Sequence, residues 1–261
     1  MNSESSQPRS TEPNVDKRYA LVTGAASGIG RAIAERFVKD GLTVWMLDAD
    51  SSIDQCAAEL GGDAVGFQLD VRDVEAWAGL RSEWSRYRSG APDVLVNNAG
   101  VGTAGTLAET GPEELDRLYA VNVRGVYLGC RTFVPQMIES GRGCVINVAS
   151  VGGLVAIPDR VAYCTTKFAV VGLTRCLARD HADSGVRFNG LCPGRVDTDW
   201  VRQRIAESED PVATEQAMVE SQPNGRMVKP EEVANAAAYL ASEGAGAVNG
   251  AMMTIDGGWL A

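Results

Sequence analysis

The sequence predicts an α/β fold, a single doubly wound domain built on a seven-stranded parallel sheet. Three observations carry this reading. Short apolar runs alternate with helical patterns, and strands separated by helices form a parallel sheet covered on both faces. A glycine-rich turn joins the first apolar run to the first helical one. No linker, repeat or composition break divides the 261 residues, a length that suits one large α/β domain.

The elements follow in order. Tyr19–Thr23 reads as the first strand, and Ile29, Ile33 and Phe37 mark one face of a helix ending near Gly41. Thr43–Leu47, Ala64–Gln68, Val94–Asn97, Cys144–Val148, Val186–Leu191 and Met252–Ile255 read as the remaining strands. Helical segments are expected near 73–88, 112–139, 161–182 and 231–242. Residues 195–228 hold polar helical pieces and no strand, which suits a substrate-binding segment or lid. Residues 1–16 are rich in Ser, Glu, Pro and Asn, so a disordered tail is expected there and the folded domain over 17–261.

Composition narrows the function. Apolar residues make up 45% and charged residues 22%, close to the globular average. A formal net charge of -10 argues against a nucleic-acid partner, because phosphate backbones would be repelled. No apolar run approaches the ~18 residues of a membrane helix, and the N-terminal segment lacks a signal-peptide core. The six cysteines show no CxxC spacing and His181 is the only histidine, so no metal site is expected. The cysteines read as reduced core residues of a cytoplasmic protein.

The turn after the first strand runs Thr23-Gly24-Ala25-Ala26-Ser27-Gly28-Ile29-Gly30 and opens a helix. Glycines let backbone amides approach a diphosphate, and the helix N-terminus favours its charge, so Gly24, Ser27, Gly28, Ile29 and Gly30 are candidates for a dinucleotide. A tight turn alone would use glycine too; the strand–turn–helix context favours the cofactor. Asp48 closes the second strand, where a carboxylate accepts from the adenosine ribose and repels a 2′-phosphate. With no basic residue at Ser27, the cofactor expected is NAD. The alternative for Asp48 is a solvated loop aspartate beside Asp50.

Tyr163 and Lys167 lie four apart on one helical face. Tyrosine, with an ordinary pKa of about 10, is a poor base at neutral pH. A nearby ammonium and a cationic nicotinamide would favour the phenolate, fitting Tyr163 for general acid–base work. Ser150, at the end of the fifth strand, can hold the substrate oxygen. A YxxxK pair alone is common on surface helices and gains force from its company.

With that company the chain resembles the short-chain dehydrogenases/reductases from residue 18 onward. The motifs stand in family order: the Thr23–Gly30 loop, Asp70-Val71, Asn97-Asn98-Ala99-Gly100, Asn122, Ser150, Tyr163 with Lys167, Pro193-Gly194 and Asp256-Gly257-Gly258. The resemblance implies a Rossmann-like fold and a catalytic tetrad of Asn122, Ser150, Tyr163 and Lys167. It also implies that Lys167 binds the nicotinamide ribose and that the backbone at Asn122 helps hold a relay water. Asp70 and Val71 would meet the adenine. Asn98, Ala99 and Gly100 would border the cofactor, with Asn97 and Asn98 fixing the central strand. Pro193, Gly194 and Val196 would also bind the cofactor, and Thr198 would reach the carboxamide of the nicotinamide. It further implies a homotetramer paired through the helices near 112–139 and 161–182. Their apolar positions include Leu118, Val121, Val126, Leu128, Phe133, Phe168, Val171, Leu173 and Leu177; the core alone could also account for them.

Cys192–Thr198, Arg204-Ile205, Gly225-Arg226 and Asp256-Gly257-Gly258-Trp259 are similar to one branch of the family. That branch holds cytosolic 3-hydroxybutyrate and 2-keto-3-deoxy sugar-acid dehydrogenases. Arg160 matches it too, whereas a basic residue expected near Ser221 is absent. The substrate expected is therefore a small anionic alcohol, its carboxylate held by Arg160 and Arg204. The bland alternatives are surface pairing of Arg204 with Glu207 or Glu209, and of Arg160 with Asp159. Two other functions stay open. One is a broad carbonyl or 3-oxoacyl reductase. The other is a non-catalytic dinucleotide sensor or scaffold, which would be expected to have a broken tetrad.

Overall fold

Seven β-branched and aliphatic runs pair side by side into one parallel sheet, in the order β3-β2-β1-β4-β5-β6-β7. The computed structural model describes residues 17–261, so the expected tail over 1–16 lies outside the described residues. The strands are β1 (Tyr19–Thr23), β2 (Thr43–Asp48), β3 (Ala64–Gln68), β4 (Val94–Asn97), β5 (Gly143–Val148), β6 (Val186–Pro193) and β7 (Met252–Ile255). Four of the expected ranges match outright, and β2, β5 and β6 are longer by one or two residues.

Successive side chains of a strand point to opposite faces, and here both faces are apolar. Ala20 and Val22 join one core with α1 (Gly28–Lys39), α2 (Ile53–Leu60) and α9 (Pro230–Ala241). Tyr19 and Leu21 join the other with α3 (Val74–Tyr87), α5 (Val126–Glu139) and α6 (Val161–Asp180). The second core is aromatic. Trp77 and Trp84 are fully buried, and their indole N–H groups donate to the carbonyls of Val71 (3.0 Å) and Gly90 (2.7 Å). The strand order reverses between β1 and β4, which opens a crevice at the strand C-termini.

Three features depart from the sequence reading. Helix α2 was not anticipated. The segment 112–139 is not one regular helix: α4 (Pro112–Tyr119) and α5 flank a π-helical stretch at Ala120–Gly125. Most of the apolar surplus assigned to an assembly face serves the core instead. Leu118, Val126, Leu128, Phe133 and Val171 are buried, while Val121, Leu173 and Leu177 pack partly buried against the core. Phe168 is exposed, together with Tyr119 and Tyr127.

The 195–228 segment forms α7 (Asp199–Ala206) and α8 (Pro211–Glu220), and a bridge between Val196 and Val228 closes its two ends on each other. Among the described residues, no helix is long and apolar enough to cross a membrane. Five cysteines are buried and unpaired, and Cys176 is exposed.

Candidate active site

The ends of β1, β2, β4, β5 and β6 frame a cavity of about 690 Å³, with α7 and α8 along one side. That size is usual for a ligand pocket. Gly24, Ser27, Gly28 and Ile29 line it, as do Asp48, Asp70, Val71, Asn98, Ala99, Gly100, Pro193, Gly194, Val196 and Thr198. Ser150, Tyr163, Lys167, Arg160 and Arg204 share the same cavity.

Its cofactor end is built from backbone. Gly24 has φ +65°, and a Cβ there would come within 2.8 Å of the Ala99 Cα. Ser27 is the N-cap residue of α1, yet its side chain makes no capping bond, and the first turn carries no acidic residue. The amides and positive end of α1 are thus open to an anion. Gly30 sits just behind this loop. It is buried and does not line the cavity, and a Cβ on it would collide with the Gly24 carbonyl oxygen. As glycine it lets helix and turn approach each other closely. Asn98 clamps the loop: its Nδ2 donates to the carbonyls of Thr23 (2.9 Å) and Gly24 (3.1 Å), and its backbone amide donates to Thr23 Oγ1 (2.9 Å). Asp48 Oδ2 accepts from the Ala26 amide and Oδ1 from the Asp50 amide, each at 3.0 Å, so its carboxylate is fixed at the cavity edge. Asp70 pairs with Arg72 at 2.6 Å, which holds its carboxyl below the usual range. These glycines, amides and the polar rim fit an extended dinucleotide.

The catalytic end is anchored in the core. A polar relay crosses the sheet: Asn97 Nδ2 donates to Asn147 Oδ1 (2.8 Å), and Asn147 Nδ2 to Thr174 Oγ1 (2.9 Å) on α6. The turn after β5 presses on the same helix. A Cβ at Gly153 would meet the Lys167 carbonyl oxygen at 2.6 Å, so glycine permits the approach that sets Ser150 beside Tyr163. Lys167 is buried, and its Nζ donates to the Val148 carbonyl at 3.0 Å. Burial lowers its pKa to about 8.

Burial also pushes the Tyr163 phenol above its ordinary value; the Ser150 hydroxyl and the charges of Arg160 and Arg195 pull it the other way. The expected contribution of Lys167 is not among these influences, and its Nζ sits 5.8 Å from the ring centroid. Desolvation therefore outweighs the protein's own cations at Tyr163.

Asn122 does not line the cavity. It is fully buried within the π-helical stretch, where Nδ2 donates to the Val101 carbonyl (2.9 Å) and Thr166 Oγ1 (3.0 Å), and Oδ1 accepts from the Val101 amide (2.8 Å). Its side chain braces the strand-β4 loop against α6 from behind. Interruptions of this kind in a helix often mark functional sites.

The substrate end holds the arginines. Asp159, with φ +55°, is the one non-glycine residue of left-handed backbone among the described residues. That turn delivers Arg160 to the start of α6, where its guanidinium donates to the Thr103 carbonyl at 2.7 Å. Burial and the nearby charge of Arg204 hold Arg160 below its ordinary pKa. Arg204 lies over Trp200, 5.2 Å from the ring centroid. Neither arginine forms an ion pair among the described residues; Asp197 and Glu215 are both taken by Arg202. Sequence reasoning gave no role to Arg195, Trp200, Ile157, Met218 or Trp259, which line the same space. Arg195 and Trp259 do stand within motifs that marked the region.

Comparison with known proteins agrees with this geometry. Residues 24–260 match the family model described as Enoyl-(Acyl carrier protein) reductase. A 2-(R)-hydroxypropyl-CoM dehydrogenase of Xanthobacter autotrophicus is 40% identical over 255 residues, spanning 94% of this chain and 99% of the relative. A 3-ketoacyl-(acyl-carrier-protein) reductase from Brucella melitensis, solved with NADH, superposes with a TM-score of 0.83 at 34% identity, covering 93% of this chain and 98% of that one. An actinorhodin polyketide ketoreductase variant with NADPH gives 0.87 at 35% identity, over 94% and 97%. Glycine loop, buried lysine and Ser–Tyr pair therefore stand in a fold and a sequence neighbourhood of one kind, and the chain belongs to the short-chain dehydrogenase/reductase family of oxidoreductases.

Proposed function

We propose that the protein transfers a hydride between NAD(H) and a secondary alcohol or ketone whose other end is an anion. The observation that carries this reading is the pair Arg160 and Arg204, which face the cavity with Tyr163 and have no acidic partner among the described residues. Guanidinium forks match carboxylates and related acids in planar, bidentate geometry. In the enclosed space they would fix the acid end and present the carbinol to Tyr163. The relative's name fits the pattern, because coenzyme M carries a sulfonate and its hydroxypropyl derivative is a secondary alcohol with an anionic tail.

Ser150 holds the substrate oxygen, and Tyr163 takes the hydroxyl proton in oxidation and returns it in reduction. Lys167 supplies charge and donors beside them, while Asn122 keeps the loop and α6 in register. When bound, the oxidised nicotinamide supplies the hydride acceptor and a positive charge that favours the phenolate. NAD is assigned over NADP because the fixed Asp48 carboxylate would repel a 2′-phosphate. Arg72 also lines the cavity but forks onto Asp70.

A broad 3-oxoacyl reductase is the second reading, favoured by the matching family description and the Brucella structure. It leaves the unpaired arginines without a purpose. The reading includes a homotetramer, supported by the exposed Tyr119, Tyr127 and Phe168 on the helices that would pair; light scattering at micromolar concentration checks it.

The test is steady-state turnover of the purified full chain with NAD⁺ or NADP⁺, on small hydroxy acids and their amides. The acid with NAD⁺ is expected to be the best combination. Equal efficiency with NADP⁺ would remove the role given to Asp48, and preference for the amide would return the site to the second reading.

A further inference from the structure

The two legs of the α7–α8 cover are joined by a side chain as well as by backbone. Residues 194–198 leave the end of β6 and lead into α7, and residues 221–228 return from α8 toward α9. The Val228 amide donates to the Arg195 carbonyl and the Asp197 amide to the Val228 carbonyl, each at 2.8 Å. Gln222 adds a further tie. It lies just beyond α8, and its backbone amide still donates to the Val219 carbonyl at 3.0 Å. Its Nε2 donates to the Arg195 carbonyl at 3.2 Å on one leg and to the Arg226 carbonyl at 2.7 Å on the other. One side chain thus connects the end of α8 to the stretch that leads into α7.

The surroundings show what this tie requires. Gln222 is buried, and both partners of its Nε2 are carbonyls. A side-chain NH₂ serves two carbonyls at once, so the amide has one workable orientation. Oε1 is left on the other side with no partner among the described residues. It faces Gly194, where a Cβ would come within 2.6 Å of it. Gly194 is not one of the glycines with left-handed backbone, so glycine is needed there for space and not for conformation. An apolar side chain of similar length would fill the site without stranding an oxygen. A buried polar group left partly unsatisfied is a poor source of stability, while its directional bonds fix geometry.

What the tie positions is cavity wall. Gly194, Arg195, Val196 and Thr198 line the cavity, whereas Gln222 does not. Helix α8 buries none of its residues, so little of its own holds it in place. The bond from Gln222 to Arg195 is a route by which the wall holds the helix. We propose that Gln222 is a positioning residue that ties α8 to the wall at 194–198, so that a dinucleotide resting on that wall steadies the cover over the substrate. This rests on the cofactor reading above.

The experiment follows amide hydrogen exchange of the full chain with and without NADH, in the wild type, Gln222→Met and Gln222→Glu. In the wild type, NADH is expected to slow exchange about fivefold or more both at 195–198 and in α8. Gln222→Met removes the stranded oxygen but leaves the Arg226 carbonyl without this donor, so its effects on stability oppose and the thermal midpoint should stay within a few degrees. In that variant the slowing at 195–198 should remain and the slowing in α8 should be lost. Met218 of α8 also lines the cavity, so NADH could steady the helix by touching it directly. Slowing of α8 that survives in Gln222→Met would show that and overturn the proposal. Gln222→Glu adds a pH signature. Burial and the two carbonyls disfavour its carboxylate, which places its pKa above the ordinary value of about 4.3. Near pH 5 the protonated acid still donates to one leg, and α8 should respond to NADH; near pH 8 the response should be gone, while the wild type responds at both. A variant merely loosened in its packing would show no such contrast. If Gln222→Met does not fold, this contrast decides, and a response equal to that of the wild type at both pH values overturns the proposal. Slowing at 195–198 without slowing in α8 in the wild type also overturns it and leaves the cofactor reading standing. No slowing anywhere overturns the cofactor reading, and this proposal with it.

Discussion

The catalytic floor and the α7–α8 cover face the same cavity but are held in opposite ways. Helix α6 buries eight residues, among them Lys167, and is tied to the sheet through Thr174, Asn147 and Asn97. Helix α7 buries only Ile205, and α8 buries none. The floor's polar groups are nearly all partnered within the protein, whereas the arginines near the cover have no acidic partners among the described residues. The difference teaches where each task is placed. Proton transfer needs fixed geometry and is put on rigid elements. On the proposed function, part of substrate choice would fall to a segment with few buried contacts, the kind that opens at low cost.

The largest expected effect breaks the floor chemically and leaves it standing. Tyr163→Phe removes one buried hydroxyl and should cost about 10²–10⁴-fold in kcat, with NADH affinity nearly intact. Stopped-flow turnover and fluorescence titration of NADH check both halves.

A second substitution separates rigidity from stability. Burial lowers the Lys167 pKa to about 8 from its ordinary 10.5, so below about pH 8 the fold carries a buried ammonium that the unfolded chain would solvate. Wild-type stability is therefore penalised in full below that value and recovers as pH rises toward 10.5, where the amine is neutral in both states. Lys167→Met should raise stability at pH 7 by an amount on the order of 3 kcal/mol, less the lost bond to Val148, while activity collapses. The gain should shrink across that alkaline window. Urea denaturation at pH 7 and pH 10 measures it; a less stable variant at pH 7 would show that the ammonium is well compensated.

The smallest effect sharpens the cover's side of the comparison. Ile205→Ala removes the one buried anchor of α7. The thermal midpoint should move by no more than a few degrees, since the cover opens without the core. KM for the substrate should rise several-fold, and amides of α7 and α8 should exchange faster than those of α6 in wild type and variant alike. Exchange as slow in α8 as in α6 would erase the contrast.

These differences also explain what could be read in advance. The central strands were legible because both faces of a parallel sheet are buried there, leaving near-continuous runs such as Val94–Asn97. Helix α2 was missed because eight residues with Ile53, Cys56 and Ala57 as their buried positions make too short a pattern. The π-helical stretch at Asn122 leaves apolar residues at helical spacing on both sides, so its interruption shows only in the backbone. Motif spacing marked Ser150, Tyr163 and Lys167, and the structure brings all three to the cavity. The state of the arginines could not be read. Glu207 and Glu209 suggested pairing, but Glu207 accepts from Gln203, neither acid pairs with Arg204, and Arg204 lies over Trp200 instead. Arg195 was passed over because its partner, Trp259, is distant in sequence.

The central claim, that the floor does chemistry while the arginines choose the substrate, meets its most direct test in one measurement. It is kcat/KM for a hydroxy acid and for its amide, in the wild type and in an Arg160→Ala, Arg204→Ala double variant. The account predicts that the wild type prefers the acid by at least about tenfold and that the double variant loses this preference through KM, with kcat for the amide kept. Equal losses for acid and amide would contradict it, and would make the two arginines part of the scaffold.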